Sequence, residues 1–308
     1  MEPKTLEDFA TVMEVSTAAE LFGIIASDKF HAGHWVFRGQ ASASWLLQPS
    51  LERFARSIND LPGVIEKYAL REFQRRAHHY SARLPSSDNT LEWLALMRHH
   101  GSPTRLLDFT KSPYVAAFFA TTDAAKDAPS TIWAVNAAVL NKQAAEILQE
   151  EYFPMKISEA GKKLRESASF SEPVIFDMLF RGSGPMPSVV APVEPFRFNH
   201  RMVLQQGLFL CVFAVGLLSQ SEFEKALVKT LDRTCSDGTG NSNLVYKLVI
   251  EPGAHPHILR ELHRMNVNYA SLFPDLDGLA RSLSDVSKIR ATCVSPPLRP
   301  DWEFDMSF

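Results

Sequence analysis

The stretch Gly101–Ala120, "GSPTRLLDFTKSPYVAAFFA", decides how the chain is read. Its first half predicts a loop, a short strand anchored by Leu106 and Leu107, and a second loop. Its second half predicts a helix of small residues, with Pro113 in the first turn and Ser112 as N-cap. Arg105 and Asp108 stand three apart, and on a strand such residues point to opposite faces, so they pair only if the strand ends between them. Asp108, Thr110 and Ser112 together offer a carboxylate, hydroxyls and helix N–H groups to an anion or a ribose. The same residues also make an ordinary capped turn. Locally both readings stand.

Upstream lies "HWVFRGQAS", His34–Ser42. Trp35, Val36 and Phe37 favour a strand, and Gly39 permits a sharp turn or a close backbone approach. The tripeptide Phe-Arg-Gly returns in "MLFRGSGP" (Met178–Pro185), where none of the first copy's neighbours return with it. Residues 5–27 predict an amphipathic helix or two, and residues 61–83 a helix that is basic on one side. "TLEWLALMRHH" predicts a helix ended by Gly101. "STIWAVNAAVL" predicts a strand and then a helix from about Asn141. "RMVLQQGLFLCVF" and "NLVYKLVIEPG" predict strands, with a helix and an exposed loop, "DRTCSDGTGNSN", between them. Residues 153–195, rich in proline, predict a surface excursion or a substrate-covering loop. The resulting organisation is an N-terminal helical segment over 1–30, a main domain over 31–285 and a tail over 286–308. Strands and helices alternate without a regular βαβ period, so the expected class is α+β.

Composition narrows the function. The chain has 308 residues, 45% hydrophobic and 22% charged, and a formal net charge of -3, so no global basic field advertises nucleic-acid binding. Three widely spaced cysteines and no C-x-x-C argue against a disulfide framework or zinc knuckle and fit a reducing cytoplasm. The first fifteen residues are acidic where a signal peptide needs positive charge, and the longest apolar run is too short to span a bilayer. Cytoplasmic localisation and no membrane partner are therefore expected. His78–His79 and His99–His100 are adjacent pairs whose rings diverge by about 100° on a helix, so no metal site is expected. His100, abutting Gly101 and near the Asp108 segment, is the histidine of interest.

Arg201, Gln205 and Gln206 precede an apolar strand and line a cleft or simply reach water. Asp275 and Asp277 sit at a turn that a helix N-cap explains. Arg71, Arg75 and Arg76 make either a phosphate-tracking face or a solvated helix side. Phosphate-loop, dinucleotide and nucleophile-elbow glycine motifs are all missing, which removes the common nucleotide hydrolases, dinucleotide oxidoreductases and α/β-hydrolases as first choices.

Taken together, "WVFRGQASASWLLQPSLER", "RHHGSPTRLLDFTKSPYVAAFFA", "IWAVN", "NHRMVLQQGLFL" and "SLFPDLDGLA" resemble the FRG domain family, in the family's order and across roughly residues 33–282. Arg98 departs from the Gln that family members often carry. The family name carries no reaction, although its members resemble components of prokaryotic defence and toxin-like systems. A looser resemblance is to arginine-class ADP-ribosyltransferases, which begin with an aromatic-Arg-Gly strand end and carry a Ser-Thr-Ser-like segment before a small-residue helix.

That resemblance implies a mixed or antiparallel central sheet, whole or split, flanked by helices. It also implies NAD as cofactor. Arg38 would bind its phosphates or position the nicotinamide ribose, and Gly39 would let the backbone approach the ligand. Thr110 and Ser112 would orient the ribose, with Phe37, Gln40, His100 and Arg105 as further contacts. Asp108 or Gln206 would work beside Arg38 at the scissile bond. The family's catalytic Glu has no counterpart: Gln205 or Gln206 is followed by Leu208, and Asp108, Asp275 or Asp277 are the candidate substitutes. The implied partners are a nucleotide-type small molecule, a protein or nucleic-acid acceptor, and a defence-system partner or antitoxin. The alternative is a non-catalytic module that senses a nucleotide or phosphorylated ligand. In it Arg38 and Asp108 form a structural salt bridge, with Arg105 as competing partner.

Overall fold

The computed structural model describes residues 5–31, 34–152, 164, 169–181, 187–213, 222–232 and 244–293. Within them the strands are β1 (Ala10–Val15), β2 (Trp35–Gln40), β3 (Leu106–Thr110), β4 (Ser130–Asn136), β5 (Val190–Val193), β6 (Gly207–Val212) and β7 (Val245–Ile250). The early helices are α1 (Leu6–Phe9), α2 (Ala18–Ile25), α3 (Asp28–His31), α4 (Ser50–Ile58), α5 (Pro62–Arg76), α6 (Thr90–His99) and α7 (Pro113–Thr121). The later ones are α8 (Ala137–Glu151), α9 (Pro173–Arg181), α10 (His200–Leu204), α11 (Glu222–Asp232), α12 (His255–Arg264), α13 (Tyr269–Leu272) and α14 (Leu276–Cys293).

All seven strands join one sheet in the order β1-β7-β4-β2-β3-β6-β5. Only β1 and β7 pair in parallel; the other neighbours are antiparallel. The sheet is therefore mixed and the fold α+β, as the sequence predicts. Period-2 alternation sorts the side chains. Trp35, Phe37, Ile132, Ala134, Tyr246 and Leu248 bury against α2, α7 and α12 on one face. Val36, Trp133, Val135, Leu107 and Leu210 bury on the other, against α8 and α11. Leu106, Phe209 and Cys211 share the first face but pack further along the sheet, with α6 and α9.

Four local expectations are corrected. Residues 5–27 form helix, strand and helix: β1 pairs residue for residue with β7, and the β-branched Thr11, Val12 and Val15 suit that edge strand better than a helix. The segment thus contributes a strand to the common sheet. Helix α8 begins at Ala137, four residues before the expected start, because the Asn136 side chain accepts from the Val139 N–H and caps it. The described parts of 153–195 are core: α9 buries Ile175, Phe176, Leu179 and Phe180, and β5 forms the sheet edge. Proline is tolerated there at Pro192 because β5 lies on the edge. The first part of the expected tail, up to Cys293, continues α14. Of the loop predicted over 232–243, all but Asp232, which ends α11, lies outside the described residues, as do residues 182–186 and those beyond 293. No described helix is long and apolar enough to cross a membrane.

Candidate functional site

Strands β2 and β3 are hydrogen-bonded neighbours, yet their register contains the single pair Phe37↔Thr110. On β2's other side, six consecutive residues pair with β4. The sheet is therefore pinned at one point between β2 and β3 and parts beyond it. Into the opening projects Arg38, whose Nη1 donates to the main-chain carbonyl of Asp108 at 2.6 Å. The guanidinium supplies across the gap the bond that a continuing ladder would have made. A cavity of about 520 Å³ occupies this opening, within the size range of small-molecule sites. A second cavity, of about 540 Å³, lies toward the start of β2 and is lined largely by apolar groups, with the Lys111–Glu194 ion pair among them.

Gly39 explains the path of β2. A Cβ there would collide with the carbonyl oxygen of Ala116 and the amide nitrogen of Ala120, both on α7. The partner of the close approach is thus helix backbone, and the small residues Ala116, Ala117 and Ala120, all buried, are what bring α7 onto the strand. Gly39 also borders the cavity.

Asp108 faces the cavity and is gripped by Arg98, the residue that departs from the family pattern. Arg98, on α6, donates to Oδ2 of Asp108 from Nε (3.0 Å) and Nη2 (2.5 Å). Arg38 stands 3.9 Å from the same oxygen. Burial alone would raise the Asp108 pKa, but the charges of Arg98 and Arg38 and the Arg98 hydrogen bonds outweigh it and hold the carboxyl below the ordinary aspartate value. Burial pushes the Arg38 guanidinium down to about 10, with Arg98 and Arg53 adding to the effect and Asp108 opposing it. Arg38 Nε is buried with no hydrogen-bond partner. The structure brings Arg38 and Asp108 together, and Arg98 is the main partner of the carboxylate.

Arg105 is elsewhere. Its Nε bonds to Glu66 Oε2 on α5 at 2.5 Å, its backbone N–H bonds to Oε1, and its guanidinium lies over the Phe180 ring. Both side chains are buried. This removes Arg105 from the cavity and from competition for Asp108. The second Phe-Arg-Gly copy thereby acquires a plain role: Phe180 packs under Arg105, while exposed Arg181 pairs with Asp177 one turn earlier.

The other predicted residues divide. Phe37, Gln40 and Thr110 line the cavity. Gln40 is fully engaged, donating to the Leu46 carbonyl and accepting from Trp133 Nε1, so it fastens the loop after β2. Thr110 Oγ1 donates to the Gln205 carbonyl and accepts from the Ser112 N–H. Ser112 accepts from the Val115 N–H and caps α7, the bland alternative raised from the sequence. Gln206 does not line the cavity: it is an exposed turn residue in the left-handed region (φ 48°), and its carbonyl accepts from the Lys111 N–H. Its neighbour Gln205 lines the cavity instead. The same shift by one residue applies at the end of α6, where His99 lines the cavity and His100 is the exposed C-cap. Asp275 caps α14 through the Gly278 N–H, as expected.

Three further residues line the cavity, of which Arg201 was expected to line a cleft or reach water. Arg98 carried a signal, its departure from the family pattern. Arg201, on α10, stacks its guanidinium 3.9 Å from the Phe273 ring centroid. Asp123, just past α7, accepts from the Tyr269 hydroxyl at 3.1 Å; nothing in the sequence distinguished it from a solvated loop aspartate. No group of three or more potential metal ligands occurs among the described residues.

No curated protein and no solved structure matches the chain. A protein-family match covers residues 33–128, which include β2, α6, β3, α7 and Asp123 but stop short of Arg201 and Gln205. It is narrower than residues 33–282, over which the chain resembles the family. Arg38, Arg98 and Asp108, the residues that hold the split together, thus all fall inside it: the chain carries an FRG domain across residues 33–128.

Proposed function

We propose that the cavity between β2 and β3 binds the phosphates of a nucleotide-type small molecule, with NAD the specific candidate. One observation carries the reading: three guanidinium groups, Arg38, Arg98 and Arg201, line one cavity in which Asp108 is already held by Arg98. Guanidinium groups in a partly desolvated pocket suit phosphate oxygens, and Phe119 and Trp45 offer ring surface to a base or a nicotinamide. An ionised Asp108 beside the sugar would stabilise the ribosyl cation. As the C1′–N bond breaks, its electron pair leaves with nicotinamide. Water, or a nucleophile on an acceptor, then forms the new bond at C1′ and releases a proton. The toxin or defence setting rests on the family resemblance alone.

A second reading has its own support. Arg38 bonds to main chain and Asp108 is occupied by Arg98, so the trio also serves as a brace across the split sheet, which favours a sensing module without turnover. Incubation with NAD separates the two. Under the enzymatic reading nicotinamide is released and Asp108→Asn slows the release at least tenfold. Under the sensing reading NAD raises the melting temperature, as a ligand of the folded state must, with no nicotinamide formed. A chain that millimolar NAD neither stabilises nor loses to cleavage contradicts both.

A further inference from the structure

The cavity's polar groups can be sorted by whether the protein already engages them. Arg38 is bonded through Nη1 to a main-chain carbonyl, though its Nε has no partner, and Arg98 and Asp108 are bonded to each other. Gln40 and Thr110 each donate and accept within the fold. Gln205 Nε2 donates to the Leu272 carbonyl, and Asn199 caps α10. Three ionisable lining residues remain: Arg201, Asp123 and His99.

The Arg201 side chain makes no hydrogen bond or ion pair to the described residues; it stacks on the Phe273 ring and feels the charges of Asp108 and Asp275. Stacking fixes the guanidinium plane while leaving its edge donors free, so the fork is organised before any ligand arrives. Asp123 accepts one hydrogen bond, from Tyr269 at Oδ2, and otherwise faces solvent at the cavity. Tyr269, buried against Phe118 and Phe273, anchors that carboxylate to the wall on which Arg201 is stacked. Burial, His100 and Arg201 keep the His99 imidazole below its ordinary pKa, hence neutral at pH 7 and able to share a proton with a phosphate oxygen.

The unengaged groups therefore demand a ligand of two characters. A guanidinium edge recruits an anion with several oxygens, and an ionised carboxylate accepts only hydrogen-bond donors, of which a pair of adjacent hydroxyls is the natural match. Building on the reading that the cavity takes a nucleotide-type molecule, we infer that the ligand is a ribosyl phosphate held at both ends, its phosphate on Arg201 and its ribose diol on Asp123. Arg38, Arg98 and Asp108 then hold the cavity open and electropositive, while ligand identity is read by two residues outside that brace.

Calorimetric titration of the full chain with AMP and with 2′,3′-dideoxy-AMP tests this, alongside NAD. The wild type is expected to bind AMP at least tenfold more tightly than the dideoxy analogue. Asp123→Ala should abolish that preference by weakening AMP alone. Arg201→Gln, which keeps much of the stem on Phe273, should weaken both nucleotides at least tenfold while the melting temperature stays near that of the wild type. A wild type that binds NAD but does not distinguish the two monophosphates overturns this inference and leaves the cavity assignment standing; so does an Asp123→Ala protein that still distinguishes them. A wild type that binds none of the three nucleotides overturns the cavity assignment as well.

Discussion

Arg38 reaches across the parting of β2 and β3 to donate to the main-chain carbonyl of Asp108, with its guanidinium 3.9 Å from the carboxylate of the same residue. One side chain thus holds a neighbouring strand by its backbone and, through the charge, helps to keep its carboxylate ionised. Because Phe37↔Thr110 is the sole registered pair between these strands, that contact replaces sheet hydrogen bonding at the point where the cavity opens.

Removal of this contact should be felt as lost stability. Arg38→Ala deletes a charge-assisted bond and leaves the Asp108 carbonyl without its donor, a cost of about 1–3 kcal/mol. Urea denaturation at neutral pH should show a folded but weakened protein. Unchanged stability would mean that the brace contributes nothing.

Gly39→Ala should be worse than its one carbon suggests. The added methyl meets main-chain atoms of α7, which cannot rotate away as a side chain can, so helix and strand must separate. The expected loss is at least that of core overpacking, about 1–3 kcal/mol, with a fall in melting temperature as the readout. Gly23→Ala serves as a control, since a Cβ there meets nothing within 4 Å.

Glu66 and Arg105 form a buried pair, with side chains 0% and 4% exposed, that ties α5 to the start of β3. Glu66→Ala leaves a buried guanidinium without its counter-charge, and a cost of about 3–5 kcal/mol follows. A chemical melt should show it. Ligand binding by whatever fraction remains folded should be unaltered, because Arg105 does not line the cavity.

Acid should loosen the brace in a predictable window. The Asp108 pKa is lower in the folded chain than its ordinary 3.8, so at acid pH the unfolded state takes up the proton first. Its contribution is present in full above the unfolded value and is lost as pH falls through the folded one. Denaturation midpoints at pH 5 and pH 3 should differ more for wild type than for Asp108→Asn. Equal differences would show that Asp108 is not held by the arginines.

How much of this was legible follows from the length scale of each signal. The strand-then-helix reading of residues 101–121 was available because Leu106–Leu107, Ser112–Pro113 and the run of alanines are local signals. Strand β1 was not, because "ATVMEV" has helical spacing of apolar residues and becomes a strand only through pairing with β7, more than 230 residues away. The same limit separates the site residues. Arg38 and Asp108 were flagged by motif, whereas Arg98 as the carboxylate's partner depends on α6 lying over β3. Gln206 and His100 were each one position from the residue that lines the cavity, an error set by the phase of a turn: positive φ at Gln206 and the end of α6 at His100. At Gly39 the sequence shows that a backbone comes close to something, and the fold identifies α7 as one such neighbour. Arg201 was marked by its place before the apolar strand β6, whereas Asp123 carried no local mark, since its significance is that fold neighbours leave its charged group largely unengaged.

The central claim is that the arginine-lined opening between β2 and β3 takes a phosphorylated nucleotide. Calorimetry of NAD against the wild-type chain and Arg201→Gln, at low and moderate salt, tests it most directly. The account predicts one saturable site in the wild type, weakened by added salt and at least tenfold weaker in the variant. Absence of saturable heat at millimolar NAD, or equal affinity in the two proteins, would contradict it.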